Sequence, residues 1–304
     1  MSEELYIGID FGTSYSYVSI FENGKVTIIP NSKGISIPSS IAFKTNEKYF
    51  IGEDTKELDK LKSVGWVFDI KRFIGKYRND LFMSAIIQNK NYPFEFVQDD
   101  FGKLKIKLSV VEENKNKKQK EENEPNPQNF DNLTAPAKKI DLYYYPEELV
   151  TLIFKHIKKI AENYLKMKKK TEINIKNAVI TVPADFDSIQ KELIQKSAKK
   201  SGFENIRLLN EPTAAAYAYG INQNEKERKK ILVIDIGGGT YDITLLKMNG
   251  NNLSETITNG DQFFGGEDFD FKLRDYFLEK NNLQDKNFRL KKNLKKCCEE
   301  IKIK

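Results

Sequence analysis

One stretch limits what this chain can become: residues 231–248, ILVIDIGGGTYDITLLKM. An apolar run from Ile231 to Ile234 ends in a carboxylate, Asp235. Gly237, Gly238 and Gly239 follow, then Thr240, then an alternating run from Tyr241 to Met248. A short apolar run bounded by a glycine turn predicts a buried strand, and the alternating run predicts its hairpin partner. Glycines accept φ > 0 and let a ligand approach the backbone closely. Backbone N–H groups in such a turn form an anion-binding nest, and the Thr240 hydroxyl adds a donor. The turn therefore suits phosphate. It is not a P-loop, because no Gly-Lys-Ser/Thr follows and the turn leads into a strand. It is not the dinucleotide fingerprint either, because there is no G-x-G-x-x-G. Taken alone, the stretch also fits a glycine-rich hairpin with no ligand.

A second copy counts against that bland reading. Near the N-terminus, Tyr6-Ile7-Gly8-Ile9-Asp10 runs into Phe11-Gly12-Thr13-Ser14, and an alternating run follows from Tyr15 to Phe21. Asp10-x-Gly-Thr mirrors Asp235-x-Gly-Gly-Gly-Thr, and Asn23-Gly24 mirrors Asn249-Gly250 as a hairpin turn. The repeat predicts two similar lobes facing one nucleotide, each supplying a phosphate loop and an aspartate. Two facing carboxylates are costly without a cation between them, which implies hydrated Mg²⁺.

The remaining totals mostly exclude. With 304 residues there is enough chain for a sizeable core. Fifty basic residues face 44 acidic ones, and the excess sits in local runs such as 115–120 and 166–170. Those runs read as solvated surface rather than a nucleic-acid patch. No apolar run is long enough to span a membrane, and the N-terminus enters a strand at once, so no secretory signal is expected. Cys297 and Cys298 are adjacent, which suits neither an ordinary disulfide nor a zinc site and points to a reducing, cytoplasmic setting. The single histidine, His156, excludes a Ser-His-Asp hydrolase.

Along the chain, residues 54–61 predict a short helix, and Val67 to Gly75 carries apolar residues at helical spacing. Lys71 in that run is either a surface lysine or a charge aimed at phosphate. Residues 112–139 contain almost no apolar side chains and predict a disordered loop at a hairpin tip. Pro146 opens a long amphipathic helix with Leu149, Leu152, Ile153, Ile157, Ile160, Tyr164 and Leu165 inward. A strand over 178–182 stops at Pro183, and a helix carrying Ile189, Leu193, Ile194 and Ala198 closes at Gly202. Arg207 to Leu209 is a short strand leading to Glu211 and a small-residue helix. Glu211 either caps that helix or reaches into a cleft. A charged linker over 222–230 marks a lobe boundary. A helix over 267–280 is expected to turn Phe269, Leu273, Tyr276 and Phe277 inward, and a last helix starts near Asn287.

With these motifs in place, the chain resembles the nucleotide-binding domain of the 70-kDa heat shock chaperones, within the actin and sugar-kinase superfamily. The resemblance rests on 8–16 (GIDFGTSYS), 68–75 (FDIKRFIG), 145–148 (YPEE), 179–184 (VITVPA), 210–216 (NEPTAAA), 235–242 (DIGGGTYD) and 265–270 (GGEDFD), in order across the chain outside 112–139. It implies an α/β, two-lobed actin-like ATPase fold with duplicated strand-turn-strand phosphate loops. Gly12, Thr13, Ser14 and Tyr15 would form the first loop and Gly237, Gly238, Gly239 and Thr240 the second. Asp10 and Asp235, helped by Asp242, would hold hydrated Mg²⁺ and nearby K⁺. Lys71 would approach the γ-phosphate of ATP, Glu211 and Asp235 would orient the attacking water, and Thr240 would contact the γ-phosphate. Gly266, Glu299 and Lys302 match positions near base and sugar, and Pro183 with Lys191 match the interdomain relay. J-domain co-chaperones and nucleotide-exchange factors are the implied partners, with no nucleic acid and no membrane.

Three departures shape the expectation. Ile303 stands where the family has an arginine beside the base, Lys191 replaces a relay arginine, and Asp185 replaces an aromatic residue. Residues 1–224 are expected to form lobe I, with a subdomain over about 45–145. Residues 225–304 are expected to form a partial lobe II, without the family's adenosine loop or its substrate-binding domain. The expected activity is ATP hydrolysis to ADP and phosphate, coupled in full-length relatives to protein folding. The alternative is a non-catalytic relative that binds co-chaperones as a regulator or decoy.

Overall fold

The computed structural model describes residues 5–32, 34–52, 65–89, 91–111, 138–219, 228–249, 252–283 and 288–303. In chain order the strands and helices are β1 (Tyr6–Phe11), β2 (Tyr15–Glu22), β3 (Lys25–Ile28), β4 (Ile37–Pro38), β5 (Ile41–Phe43), β6 (Tyr49–Ile51), β7 (Gly65–Val67), α1 (Leu81–Asn89), β8 (Glu95–Gln98), β9 (Leu104–Val111), β10 (Lys139–Tyr144), α2 (Pro146–Lys169), β11 (Asn177–Val182), α3 (Ser188–Lys200), β12 (Asn205–Asn210), α4 (Glu211–Ala218), β13 (Arg228–Ile236), β14 (Tyr241–Asn249), β15 (Asn252–Asp261), α5 (Gly266–Lys280) and α6 (Phe288–Ile303).

The main sheet has the order β12-β11-β1-β2-β3, with β4 beside β2. β1 lies parallel to β11, and β11 parallel to β12, while the β1-β2-β3 meander is antiparallel. Asn23 and Gly24 both take φ > 0 (53° and 74°), the turn that matches the strands' twist. Period-2 alternation sends Ile7, Ile9 and Phe11 to one covered face, each at most 1% exposed. α2 contributes to that core: Phe154 meets Phe11 edge-on at 5.2 Å, and Leu149, Ile153 and Ile157 are fully buried. α2 begins at Pro146, whose missing N–H costs nothing in a first turn. α3 is capped by Asp187, whose carboxylate accepts from the Gln190 amide at 2.8 Å, and it is followed by Gly202 at φ 99°.

A second sheet, β13-β14-β15, is an antiparallel meander. Its register places Asp235 beside Asp242. Two small sheets, β10-β9-β8 and β6-β5-β7, flank the main one.

Four sequence expectations change. The helical spacing over 67–75 yields strand β7 and then a single 3-10 turn, Ile70–Phe73. The cause is Asp69, held in the left-handed region at φ 58°, which breaks the helix before it starts. α5 buries Glu267, Asp270, Phe271, Arg274 and Leu278, leaving Phe269 and Tyr276 more than half exposed. Its inward face is therefore largely charged, because it packs on partners that satisfy those charges. In α3, Ile189 is outward-facing. The charged linker expected through residue 230 ends sooner, since β13 already pairs from Arg228. The helix expected over 54–61, nearly all of the loop expected over 112–139, and the boundary residues 222–227 lie outside the described residues. α1 was not foreseen.

Candidate functional site

The two glycine turns face each other. β1 ends in Asp10 and turns through Gly12, Thr13 and Ser14 into β2; β13 ends in Asp235 and turns through Gly237, Gly238 and Gly239 into β14. The second turn closes with the Gly237 amide donating to the Thr240 carbonyl at 2.9 Å. A Cβ on Gly238 would lie 2.1 Å from Ser14 Oγ, and one on Gly239 would lie 2.5 Å from Thr13 Cγ2. Real Cβ atoms do not come this close, so only glycine lets the second turn press against the first. A Cβ on Gly12 would instead meet the carbonyl of Tyr15 at 2.2 Å, inside its own loop.

Between and behind the turns lies a cleft of about 1050 Å³. That is the size of a generous small-molecule site. Asp10, Gly12, Thr13, Ser14, Tyr15, Lys71, Glu211, Asp235, Gly237, Gly238, Thr240, Gly266, Glu299 and Lys302 all line it. Gly239, Asp242, Pro183 and Lys191 do not. Gly239 faces Thr13 and Arg72. Asp242 is buried behind Asp235, while Pro183 follows β11 and Lys191 lies on α3.

Lys71 projects from the 3-10 turn and is 4% exposed, so it is not a surface lysine. Its ammonium donates to Glu211 Oε1 at 2.6 Å. Glu211 is the first residue of α4, preceded by Asn210. Both open questions about these residues are thus answered together: each reaches into the cleft and holds the other. Burial pushes the Glu211 carboxyl up, against the pull of Lys71. Asp10 Oδ1 accepts from the Thr181 hydroxyl at 2.9 Å. Burial, then Asp185, Glu211 and Asp235, push the Asp242 carboxyl up to about 7.

Sequence reasoning missed the clasp that holds the two turns together. Arg72 is buried; its Nε donates to the Gly239 carbonyl at 3.0 Å and its Nη atoms grip both oxygens of Asp268, at 3.3 and 2.6 Å. Ser14 Oγ donates to Glu267 Oε1, and Lys295 on α6 holds Glu267 Oε2 at 2.7 Å. The amides of Gly266 and Glu267 donate to the carbonyls of Gly237 and Gly238 at 2.9 and 2.7 Å. Beneath lies Asp69, whose Oδ2 accepts from Tyr92 at 3.0 Å. Burial, then the nearby Glu267, drives the Asp69 carboxyl well above the usual carboxylate range, against the pull of Arg72 and Lys295. Burial also works to raise Glu267, but Lys295, Asp69 and Ser14 outweigh it and hold that group at about 2. The one clue in the sequence was polar residues at helical spacing: 267, 270 and 274 share a face.

At the far end of the cleft Lys302 pairs with buried Asp270 at 2.8 Å and donates to the Gly266 carbonyl at 2.8 Å. Ile303 lines the same end and is 75% exposed.

Two aspartate-tipped hairpins sharing one cleft, the first in a mixed sheet and the second in an antiparallel meander, define the actin-like ATPase fold. The Hsp70 protein family profile matches residues 6–123 and 125–304. A human relative named putative heat shock 70 kDa protein 7 is 31% identical over 305 residues, covering 98% of this chain and 73% of the relative. The chain belongs to the Hsp70 family and carries its chaperone-type, ATP-binding domain. No helix among the described residues is long and apolar enough to cross a membrane.

Proposed function

We propose that this chain binds ATP with hydrated Mg²⁺ between its two glycine turns and hydrolyses it to ADP and phosphate. The observation that carries the reading is the shared cleft: two aspartate-tipped phosphate turns in contact, with the Lys71–Glu211 pair in the same wall. The donor set fits the metal. Mg²⁺ keeps several waters and needs only one or two carboxylates, and Asp10 and Asp235 both line the cleft, with Asp242 behind. K⁺ would share the same carboxylates. Bound there, the ion neutralises phosphate charge.

The protein's own part is positioning and charge. Amides of the turns and the hydroxyls of Thr13, Ser14 and Thr240 cradle phosphate oxygens. Lys71 swings from Glu211 to the γ-phosphate, and Glu211, relieved of its partner, orients water together with Asp235. Gly266, Glu299 and Lys302 face base and sugar. Pro183 and Lys191 lie off the cleft, and their proposed role is to pass nucleotide state onward. J-domain proteins and exchange factors are the proposed partners, and coupling to protein folding the proposed outcome in a full-length context.

The test is single-turnover ATP hydrolysis with Mg²⁺. Lys71→Met should slow it by about 10²–10³-fold, the scale for losing one charge-stabilising donor. Turnover unchanged in Lys71→Met would sink the reading. A second reading, a co-chaperone-binding relative without turnover, is favoured by Ile303, which offers no cationic face to a base. It requires that wild-type turnover stay at background, and a cooperative unfolding transition whose midpoint Mg-ADP does not shift would point to it.

A further inference from the structure

We propose that Gln262 and Phe263, with the groups that hold them, Lys76, Phe82 and Asp185, form a latch outside the cleft that sets how fast nucleotide leaves. The latch presupposes the nucleotide reading above and regulates that same site.

Gln262 and Phe263 lie in the short loop between β15 and α5. Their side chains reach across to elements that precede α4. Lys76 Nζ donates to Gln262 Oε1 at 2.9 Å, and Gln262 Nε2 donates to Asp185 Oδ2 at 2.7 Å. One amide side chain thus works in both senses, accepting from an ammonium and donating to a carboxylate. Beside it the Phe263 ring stacks on Phe82 of α1, with centroids 5.2 Å apart and planes 16° from parallel. The Lys76 ammonium lies 5.4 Å from the centre of the same Phe263 ring. Asp261 fixes the loop, its Oδ1 accepting from the Phe263 amide at 2.8 Å. The next residue differs. Phe264 meets Tyr241 and Phe269, at 6.0 and 5.3 Å, and both belong to its own side.

None of these side chains lines the cleft, yet each sits close in sequence to a group that does. Lys76, and then α1 with Phe82, follow the turn that carries Lys71. Asp185 follows β11, whose Thr181 donates to Asp10. Gln262 and Phe263 precede Gly266 and Glu267, whose amides donate to the second glycine turn. A nucleotide gripped by both turns leaves only when the two sides part, and bonds that break in that step slow it. The Arg72 and Glu267 clasp is buried and suits a permanent joint. The latch is more open: Phe82 is 57% exposed, and Lys76, Gln262, Phe263 and Asp185 are half-buried. Water can replace its hydrogen bonds at small cost, which suits a contact that opens and recloses. Asp185 is also one of the departures from the family pattern, and an aromatic residue there would offer Gln262 no carboxylate.

The probe is Mg-ADP with a methylanthraniloyl label, bound to the whole chain and chased with unlabelled ADP in stopped flow. Phe82→Ala and Gln262→Ala should each speed release about tenfold, the factor that 1.4 kcal/mol carries. Single-turnover hydrolysis of bound ATP should not change, because no latch atom reaches the cleft. Phe264→Ala should leave release as it is, and urea midpoints check that each variant is folded. Unchanged release in Phe82→Ala and Gln262→Ala would overturn the proposal. So would equal acceleration by Phe264→Ala, since loosening of the loop alone would then suffice. A wild type that binds no labelled ADP would sink the nucleotide reading, and the latch is then decided without nucleotide. In nucleotide-free protein, Phe82→Ala should speed hydrogen exchange at the Phe263 and Gly266 amides about tenfold, although residue 82 lies outside their loop. Equal exchange in Phe82→Ala and wild type would overturn the latch itself.

Discussion

The two hairpins carry the same pattern and meet opposite fates. Ile7, Ile9 and Phe11 on β1 correspond, counting back from Asp10, to Leu232, Ile234 and Ile236 counted from Asp235. The first three are at most 1% exposed; the second three are 60%, 60% and 72% exposed. The difference is cover. α2 lies on the first face, while the second face, continued by Ile243 and Ile257, is left open among the described residues. The opposite face of the same sheet is packed: Thr244, Leu246 and Met248 are buried. Alternation therefore dictates which side chains share a face, and tertiary neighbours dictate whether that face is dry.

The largest effects should fall on the covered hairpin. Phe11→Ala removes a ring buried against Phe154 and should cost about 3–5 kcal/mol in urea unfolding. Ile9→Ala should cost about 2–5 kcal/mol by the same cavity mechanism. A loss below 1 kcal/mol at both would mean that the first hairpin is no better covered than the second.

The turns differ in a way their shared glycines hide. Gly12 serves its own loop, whereas Gly238 and Gly239 serve the contact between loops. Gly238→Ala should push the loops apart and weaken Mg-ADP binding at least tenfold, about 1.4 kcal/mol, with little loss of global stability. Titration calorimetry beside urea unfolding separates the two. If Gly238→Ala binds nucleotide normally, the turns do not need to touch.

Much of this was legible in the sequence, and the gaps share one cause. Asp10 and Asp235 stand out because strand tips are local signals, whereas spacing leaves Lys71 and Glu211 open and only the family resemblance puts them at the site. Strands β1, β2, β13 and β14 were found because period 2 is local too. The Arg72–Asp268 and Ser14–Glu267 links join residues 196 and 253 positions apart, and no local pattern reports such a pair. α5 was turned the wrong way because its buried face is charged, and periodicity reads charge as surface. Spacing predicts a helix at 70–73 where the protein has a single 3-10 turn, because one residue, Asp69, adopts a backbone that spacing cannot reveal.

The clasp beneath the turns gives a pH signature that neither hairpin alone would. In the folded protein burial raises the Asp69 carboxyl well above the usual 3.8 at which the unfolded chain releases its proton. Folding then binds a proton, so stability falls as pH rises above that point. Glu267 works in the other direction: held at about 2 against 4.5, it contributes stability above pH 4.5 that is lost as pH falls toward 2. The pair thus favours mildly acid pH. Asp69→Asn keeps an acceptor for Tyr92 and removes the titrating carboxyl. It should lose less stability than wild type as pH rises above 3.8, and leave the acid limb intact. A variant whose urea midpoint falls with rising pH as steeply as wild type would show that the Asp69 carboxyl is not raised in the fold.

The smallest effect tests the open face directly. Ile234→Thr keeps a β-branched side chain, so strand preference is nearly unchanged. At 60% exposure little apolar area is returned to water, and the change should stay within about 0.5 kcal/mol, against several for Ile9→Ala at the matching position. Urea midpoints of the two variants, measured side by side, put the comparison on one scale. A cost above 2 kcal/mol for Ile234→Thr would mean that this face is buried in solution, because only a desolvated methyl exchanged for a hydroxyl loses that much. The contrast between the hairpins would then be one of which partner covers each, and dilution would tell an intermolecular cover, whose cost depends on concentration, from one within the chain, whose cost does not.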